Sequence, residues 1–151
     1  MPSKKLPADN HILRFASATR LQFDDEGNVI ALLPQAFRLR ENEQNLSVTW
    51  IEYYSGSRQG QIEQAVQAFR RSMNNPPRSS SAFGMAEVGV VEQTCLRHKR
   101  PANVRILHNP MDSNPAHAAI HRYPPNDEEL MELLASEAFC EIVLNKSVPQ
   151  A

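Results

Sequence analysis

Between Leu46 and Tyr54 the chain alternates, with Leu46, Val48, Trp50 and Glu52 on one side and Ser47, Thr49, Ile51 and Tyr53 on the other. The run is dense in β-branched and aromatic residues, and this alternation predicts a strand with one face in a core. Glu52 falls on the face of Val48 and Trp50, which sets a carboxylate beside apolar neighbours. Shorter apolar runs at His11–Phe15 and Asn28–Leu33 predict two more strands. The turn signal Asp24-Asp25-Glu26-Gly27 precedes the second, and the two can be antiparallel neighbours. Pro34 ends the second run. From Ala36 to Leu39, Phe37 and Leu39 lie on one side with Arg38 and Arg40 on the other.

After Ser55-Gly56-Ser57 the period changes. Ile62, Ala65, Val66, Phe69 and Met73 recur as one helical stripe, with Gln59, Glu63, Gln67 and Arg70 on the wet side. Asn74-Asn75-Pro76-Pro77 stops that helix, because a proline disfavours helical geometry in the residue before it. Pro76 to Ser81 reads as the most flexible interior stretch. Ala82 to Val88 predicts a strand interrupted by Gly84, and Gly89 to Lys99 a short helix with Val91, Cys95 and Leu96 inward, ended by Pro101. Asn103 to His108 predicts a strand with Val104, Ile106 and His108 on one face. His117 to His121 is either a strand or a single helical turn. Asn126 or Asp127 suits an N-cap with Glu128 and Glu129 in the first turn, and the stripe Leu130, Leu134, Ala138, Phe139, Ile142, Val143 extends that helix to Asn145. Cys140 falls inside it as a small core residue. Met131 and Leu133 widen the stripe enough to leave one edge for another chain, such as a symmetric copy.

These elements sum to an α+β fold, a mixed sheet of four to six strands packed against about three helices. A chain of 151 residues and 17.0 kDa suits one domain, placed at 10–146 between a flexible lead-in at 1–9 and a flexible tail at 147–151. A net charge of −1 gives no global field toward nucleic acid or an anionic membrane. The densest basic run, Arg97-His98-Lys99-Arg100, reads as the solvated end of a helix. No apolar run is long enough to span a bilayer, and Met1-Pro2-Ser3-Lys4-Lys5 leads into no signal core, so the expected compartment is the cytoplasm. Two cysteines make no disulfide framework and are expected as free thiols. None of the five glycines falls in a phosphate-loop pattern.

Candidate chemistry gathers where four of the five histidines and Cys95 lie, as Cys95, His98, His108, His117 and His121. Cys95, His98, His117 and His121 have the ligand types of a closed zinc site. The last two converge only on a helix; in a strand they share a face about 13 Å apart. Cys95 and His98 already have a structural account in the short helix, and neither a metal nor a cofactor is assigned. The trio His108, His117 and His121, around a proline-punctuated loop, offers an acid and a base for hydrolysis of a phosphodiester. The plainer reading has His108 capping its loop through a backbone hydrogen bond and His121 exposed. A third set lies in the front half, where His11 and Arg14 on the first strand can face Ser47, Thr49 and Glu52. In residue types it resembles ADP-ribosyltransferases, which implies a gripped nicotinamide nucleotide and a stabilising Glu52, although Glu52 follows Ser47 more closely than in that family. Glu52 can equally pair with Arg38 or Arg40. Serine and cysteine nucleophiles gain no support, since there is no G-x-S-x-G elbow and Cys140 has no basic neighbour in sequence.

The stretches Ala36-Phe37-Arg38-Leu39-Arg40, Leu46 through Tyr54, and Asn114-Pro115-Ala116-His117-Ala118 resemble small bacterial proteins over a minor part of the chain. The resemblance implies no particular activity. The expectation is therefore a small accessory or regulatory protein that binds a protein partner. A histidine-dependent phosphodiester hydrolase is the first alternative, and an ADP-ribosyltransferase-like nucleotide-binding enzyme the second.

Overall fold

The computed structural model describes residues 4–150. Residues 1–3 of the expected lead-in and residue 151 of the expected tail lie outside the described residues. Along the chain come β1 (His11–Ala16), β2 (Leu21–Phe23), β3 (Val29–Leu32), β4 (Leu46–Trp50), α1 (Arg58–Ser72), β5 (Ala82–Glu87) and α2 (Val88–Arg97). They are followed by β6 (Arg105–His108), β7 (His117–His121), α3 (Glu128–Leu133) and β8 (Glu141–Leu144). Six strands form one sheet in the order β6-β7-β4-β1-β5-β8, and β2 and β3 form a separate hairpin. Every pairing is antiparallel. The α+β class, the strand count of the main sheet and the three helices match the pattern-based expectation, while the sheet is antiparallel throughout rather than mixed. No helix among the described residues is long and apolar enough to cross a membrane.

Cross-strand partners share a face, so the register sorts the side chains into two layers. On one face Leu13, Phe83 and Met85 pack under Ile62, Ala65 and Val66 of α1. On the other, Ile12, Ala86, Val48, Ile106, Ala118 and Ile120 pack against Val88, Val91 and Cys95 of α2 and Leu130, Met131 and Leu134 of the α3 region. The β2–β3 hairpin covers part of this second layer. Leu32 lies so close that a Cβ on Gly84 would sit 3.0 Å from its Cδ2 and 3.1 Å from the Cβ of Phe139. β5 runs unbroken through Gly84, where glycine is required because two neighbours crowd the place of a side chain. At the chain ends, Leu6 is buried and its N–H donates to the Ile106 carbonyl (3.0 Å), while Lys5 bridges Leu107. Val148 is buried too, and the Arg70 guanidinium donates to the carbonyls of Asn145, Val148 and Pro149.

Several local expectations change. β3 pairs with β2, and β1 with β4 and β5, so the first two predicted strands are not neighbours. The unit His117–His121 is a strand. Leu96 is exposed, and Met131 lies in the core rather than on a free edge. The last helix does not reach Asn145. Asp127 caps α3 as expected, accepting from Leu130 N–H (3.1 Å), but over Leu134–Ala138 the helix widens and the Phe139 N–H bonds back to Leu134 at 2.8 Å. Phe139 then leaves helical geometry at φ −94°, ψ 61°, and Ile142 and Val143 become β8, paired with Gly84 and Phe83. Cys140 lies in the connection and is exposed rather than in the core. His98 is not a solvated helix end. It is buried, with Nε2 3.1 Å from Asp127.

Candidate ligand cleft between β1, β4 and α1

The ladder between β1 and β4 is short, pairing Ile12 with Trp50 and Leu13 with Thr49. Beyond Leu13, β1 continues to Ala16 in register with β5, while Leu46 to Val48 stay in register with β7. The two central strands therefore part. Arg14 fills the opening: its Nε donates to the Ala36 carbonyl and its Nη1 to the Ser47 carbonyl, both at 2.8 Å. The charged donor to the Ser47 carbonyl takes the place of a ladder bond in the splay, and the one to Ala36 ties in the 3₁₀ turn Pro34–Phe37. Among the described residues the third nitrogen, Nη2, has no hydrogen-bond partner, and Arg14 borders a cleft of about 650 Å³. Burial pulls the Arg14 pKa down to about 10; Glu43 and Tyr123 oppose that and Arg20 and Arg40 add to it, so the group remains a cation at neutral pH.

Three walls surround the opening. Arg20, Arg40 and Glu43 come from the segments after β1 and before β4; Phe69, Met73, Asn74 and Asn75 come from the end of α1 and the loop it enters; Asn114 comes from the β6–β7 connection and His117 from the start of β7. Ser47 and Thr49 of β4 border the cleft as well. Some of these groups are already committed. The Thr49 hydroxyl accepts from Asn114 Nδ2 (3.3 Å), and a Glu43 oxygen accepts the Arg40 N–H (2.9 Å). Others are free: among the described residues the Arg20 and Arg40 guanidiniums, the Asn74 and Asn75 carboxamides and the Ser47 hydroxyl make no hydrogen bond or ion pair.

Of the three histidines expected to act together, only His117 borders this cleft. His108 is opposite Ala118 in the β6–β7 register, which puts it on the other face from His117 and His121. Its Nε2–H donates to the Pro115 carbonyl (2.8 Å), and its ring lies against Trp50 and Tyr53 at centroid distances of 5.1 and 5.5 Å. The His117 Nδ1–H donates to the Asn109 carbonyl (2.7 Å). A carbonyl can only accept, so the neutral ring carries its proton on Nδ1 and keeps an acceptor at Nε2. His121 pairs with Arg105 across β6, and its Nε2 is buried without a partner. It is partly buried, not exposed. Cys95 and His98 belong to the layer of α2 and α3, and burial raises the Cys95 thiol to about 12. Among the described residues no group of three or more histidines, cysteines and acids is placed to hold a metal ion.

No protein-family model matches this chain, and no curated protein or solved structure does. The reading of the site therefore stands on its own chemistry. The front-half set is drawn together in part: His11 Nδ1–H donates to Glu52 (2.6 Å), the His11 backbone N–H reaches its other oxygen (2.7 Å), and Arg58 joins at 2.7 Å. Glu52 gets there because the chain tightens into a 3₁₀ turn at Ile51–Tyr53, so it leaves the face of Val48 and Trp50. Burial raises its pKa, but bonds from His11 and Arg58 outweigh that and hold the carboxyl below its usual range. Arg38 pairs with Glu128 instead, at 3.1 Å. The His11–Glu52–Arg58 cluster lies outside the cleft and ties the starts of β1 and α1 to the turn after β4. Sequence patterning missed Arg20, Arg40, Asn74 and Asn75. They lie in irregular segments, and the only signal was the Asn-Asn pair, which reads first as a helix stop.

Proposed function

We propose that the protein binds a small phosphate-bearing ligand in the cleft between the parted strands and the end of α1. The observation that carries this reading is the set of three guanidiniums around one opening, with Arg20 and Arg40 unpaired and Arg14 anchored by two of its three nitrogens. Guanidinium forks match phosphate oxygens, and a partly buried cation is screened less by water and salt than a surface one. A volume of about 650 Å³ lies within the range of clefts that hold organic ligands. Ligand binding is consistent with an accessory or regulatory protein, which would respond to a metabolite before meeting its partner. A hydrolase using His108, His117 and His121 together gains no support, because those imidazoles lie on both faces of the sheet.

Titration calorimetry with inorganic pyrophosphate at low ionic strength tests this. The expected result is saturable uptake that weakens with salt and falls at least about tenfold, about 1.4 kcal/mol, in Arg20→Gln/Arg40→Gln. Neither side chain packs in the core or pairs, so the fold is expected to survive. Equal affinity in the wild type and the double variant, or no uptake by either, would refute the proposal.

A further inference from the structure

Given the anion-binding reading, on which this rests, we infer that the ligand is a nucleoside diphosphate, held with its phosphates at the arginines and its base against the end of α1. Three guanidiniums face one carboxylate, Glu43, and that carboxylate already accepts the Arg40 N–H. Such an excess calls for more than a single negative charge. Pyrophosphate alone, however, would leave the second wall of the cleft unused. There Asn74 and Asn75 follow Met73, the C-cap of α1, each with a donor and an acceptor side by side and, among the described residues, neither bonded within the protein. A carboxamide complements the paired donor and acceptor edge of a nucleobase, as asparagine does when it reads adenine.

The surface beside these amides is apolar. Phe69 and Met73 border the cleft and are only partly buried, and Phe15 stacks on Phe69 at 4.9 Å. A flat heterocycle can cover such a strip, whereas a sugar phosphate or polyphosphate cannot do so without a desolvation cost. The free Nε2 of His117 and the free hydroxyl of Ser47 come from strands paired in the same sheet, and they offer acceptors to sugar hydroxyls. Phosphate, sugar and base each thus find matching uncommitted groups.

The full chain is titrated with pyrophosphate, ribose 5-phosphate, ADP, GDP, CDP and UDP, in the wild type, in Asn74→Ala/Asn75→Ala and in Arg20→Gln/Arg40→Gln. At least one nucleoside diphosphate is expected to bind about tenfold or more tightly than pyrophosphate, the gain of one good bidentate base contact. The asparagine variant should lose that preference while keeping its pyrophosphate affinity, and the arginine variant should weaken every diphosphate. Thermal melts of both variants that match the wild type confirm that the fold is retained. If all diphosphates bind no better than pyrophosphate, or if the base preference survives loss of both asparagines, the nucleotide assignment fails while anion binding stands. If pyrophosphate and the nucleotides all fail to bind, both readings fall together.

Discussion

Replacing Asp127 by asparagine and by alanine separates two jobs that one carboxylate does at the start of α3. One oxygen caps the helix by accepting the Leu130 N–H at 3.1 Å, and the pair also receives His98 Nε2 at 3.1 Å and Arg100 Nη2 at 2.7 Å. Asparagine is as good an N-cap as aspartate, so Asp127→Asn keeps the cap and removes the charge. Hydrogen bonds to a charged group contribute about 1.5–3 kcal/mol, against about 1 for neutral ones. His98, 5% exposed, would keep a weaker partner, and the solvated Arg100 contributes little. The expected cost of Asp127→Asn is therefore about 1–2 kcal/mol, with Asp127→Ala costing about a further 1 for the lost cap. Urea denaturation at pH 7 with an unchanged m-value measures both, and each kcal/mol should lower Tm by about 2–4 °C in a chain of this size. Arg100, the Leu130 N–H and His98 hold the Asp127 carboxyl down to about 2 against the opposing effect of burial. A folded pKa below the unfolded one gives stability that is complete above the unfolded value and is lost as pH falls through the folded one. The gap between wild type and Asp127→Asn should accordingly close between about pH 4 and pH 2. If the two variants are equally stable, or if asparagine costs nothing at pH 7, the separation of cap and charge is wrong.

Two further outcomes follow from packing and exposure. Gly84→Ala forces a methyl against the Leu32 methyls and the Phe139 Cβ and should cost about 1–3 kcal/mol in urea, where a neutral result would show that the β2–β3 hairpin does not press on β5 as described. In the native protein a disulfide reagent such as Ellman's should titrate one thiol quickly, exposed Cys140, while Cys95, with no exposed surface and its pKa raised to about 12, reacts only after unfolding. Two fast thiols would contradict the burial of α2.

Elements with a clean period were legible from residues alone. The stripe of α1 and the alternation of β4 each bury what their spacing requires, and Asp127 caps α3 where its side chain can accept an N–H. Errors arose where one residue's geometry overrode a period. The apolar sequence from Leu134 to Val143 continues a helical rhythm with no glycine or proline to stop it, so the turn at Phe139 that sends Ile142 and Val143 into β8 had no local signal. Likewise a three-residue 3₁₀ turn reassigned Glu52 to the opposite layer. His11 and Arg14 were placeable on a strand from the bulky residues between them, although at three residues apart they leave opposite faces of β1. Arg20, Arg40, Asn74 and Asn75 were not, because loop side chains meet only after the sheet order is known, and that order is set by pairings between distant segments.

β1 occupies the middle of the sheet although it comes first along the chain, and its partners begin at Leu46 and Ala82. A ribosome therefore delivers the central strand long before either neighbour, with the β2–β3 hairpin following it but not pairing with its edges. The opposite flank closes later still, for β5 shows an unpaired edge until Glu141–Leu144 emerges and docks. An architecture built on such distant pairings folds slowly, and a nascent chain stalled before β8 would present Ala82 to Met85 as an apolar template for other strands.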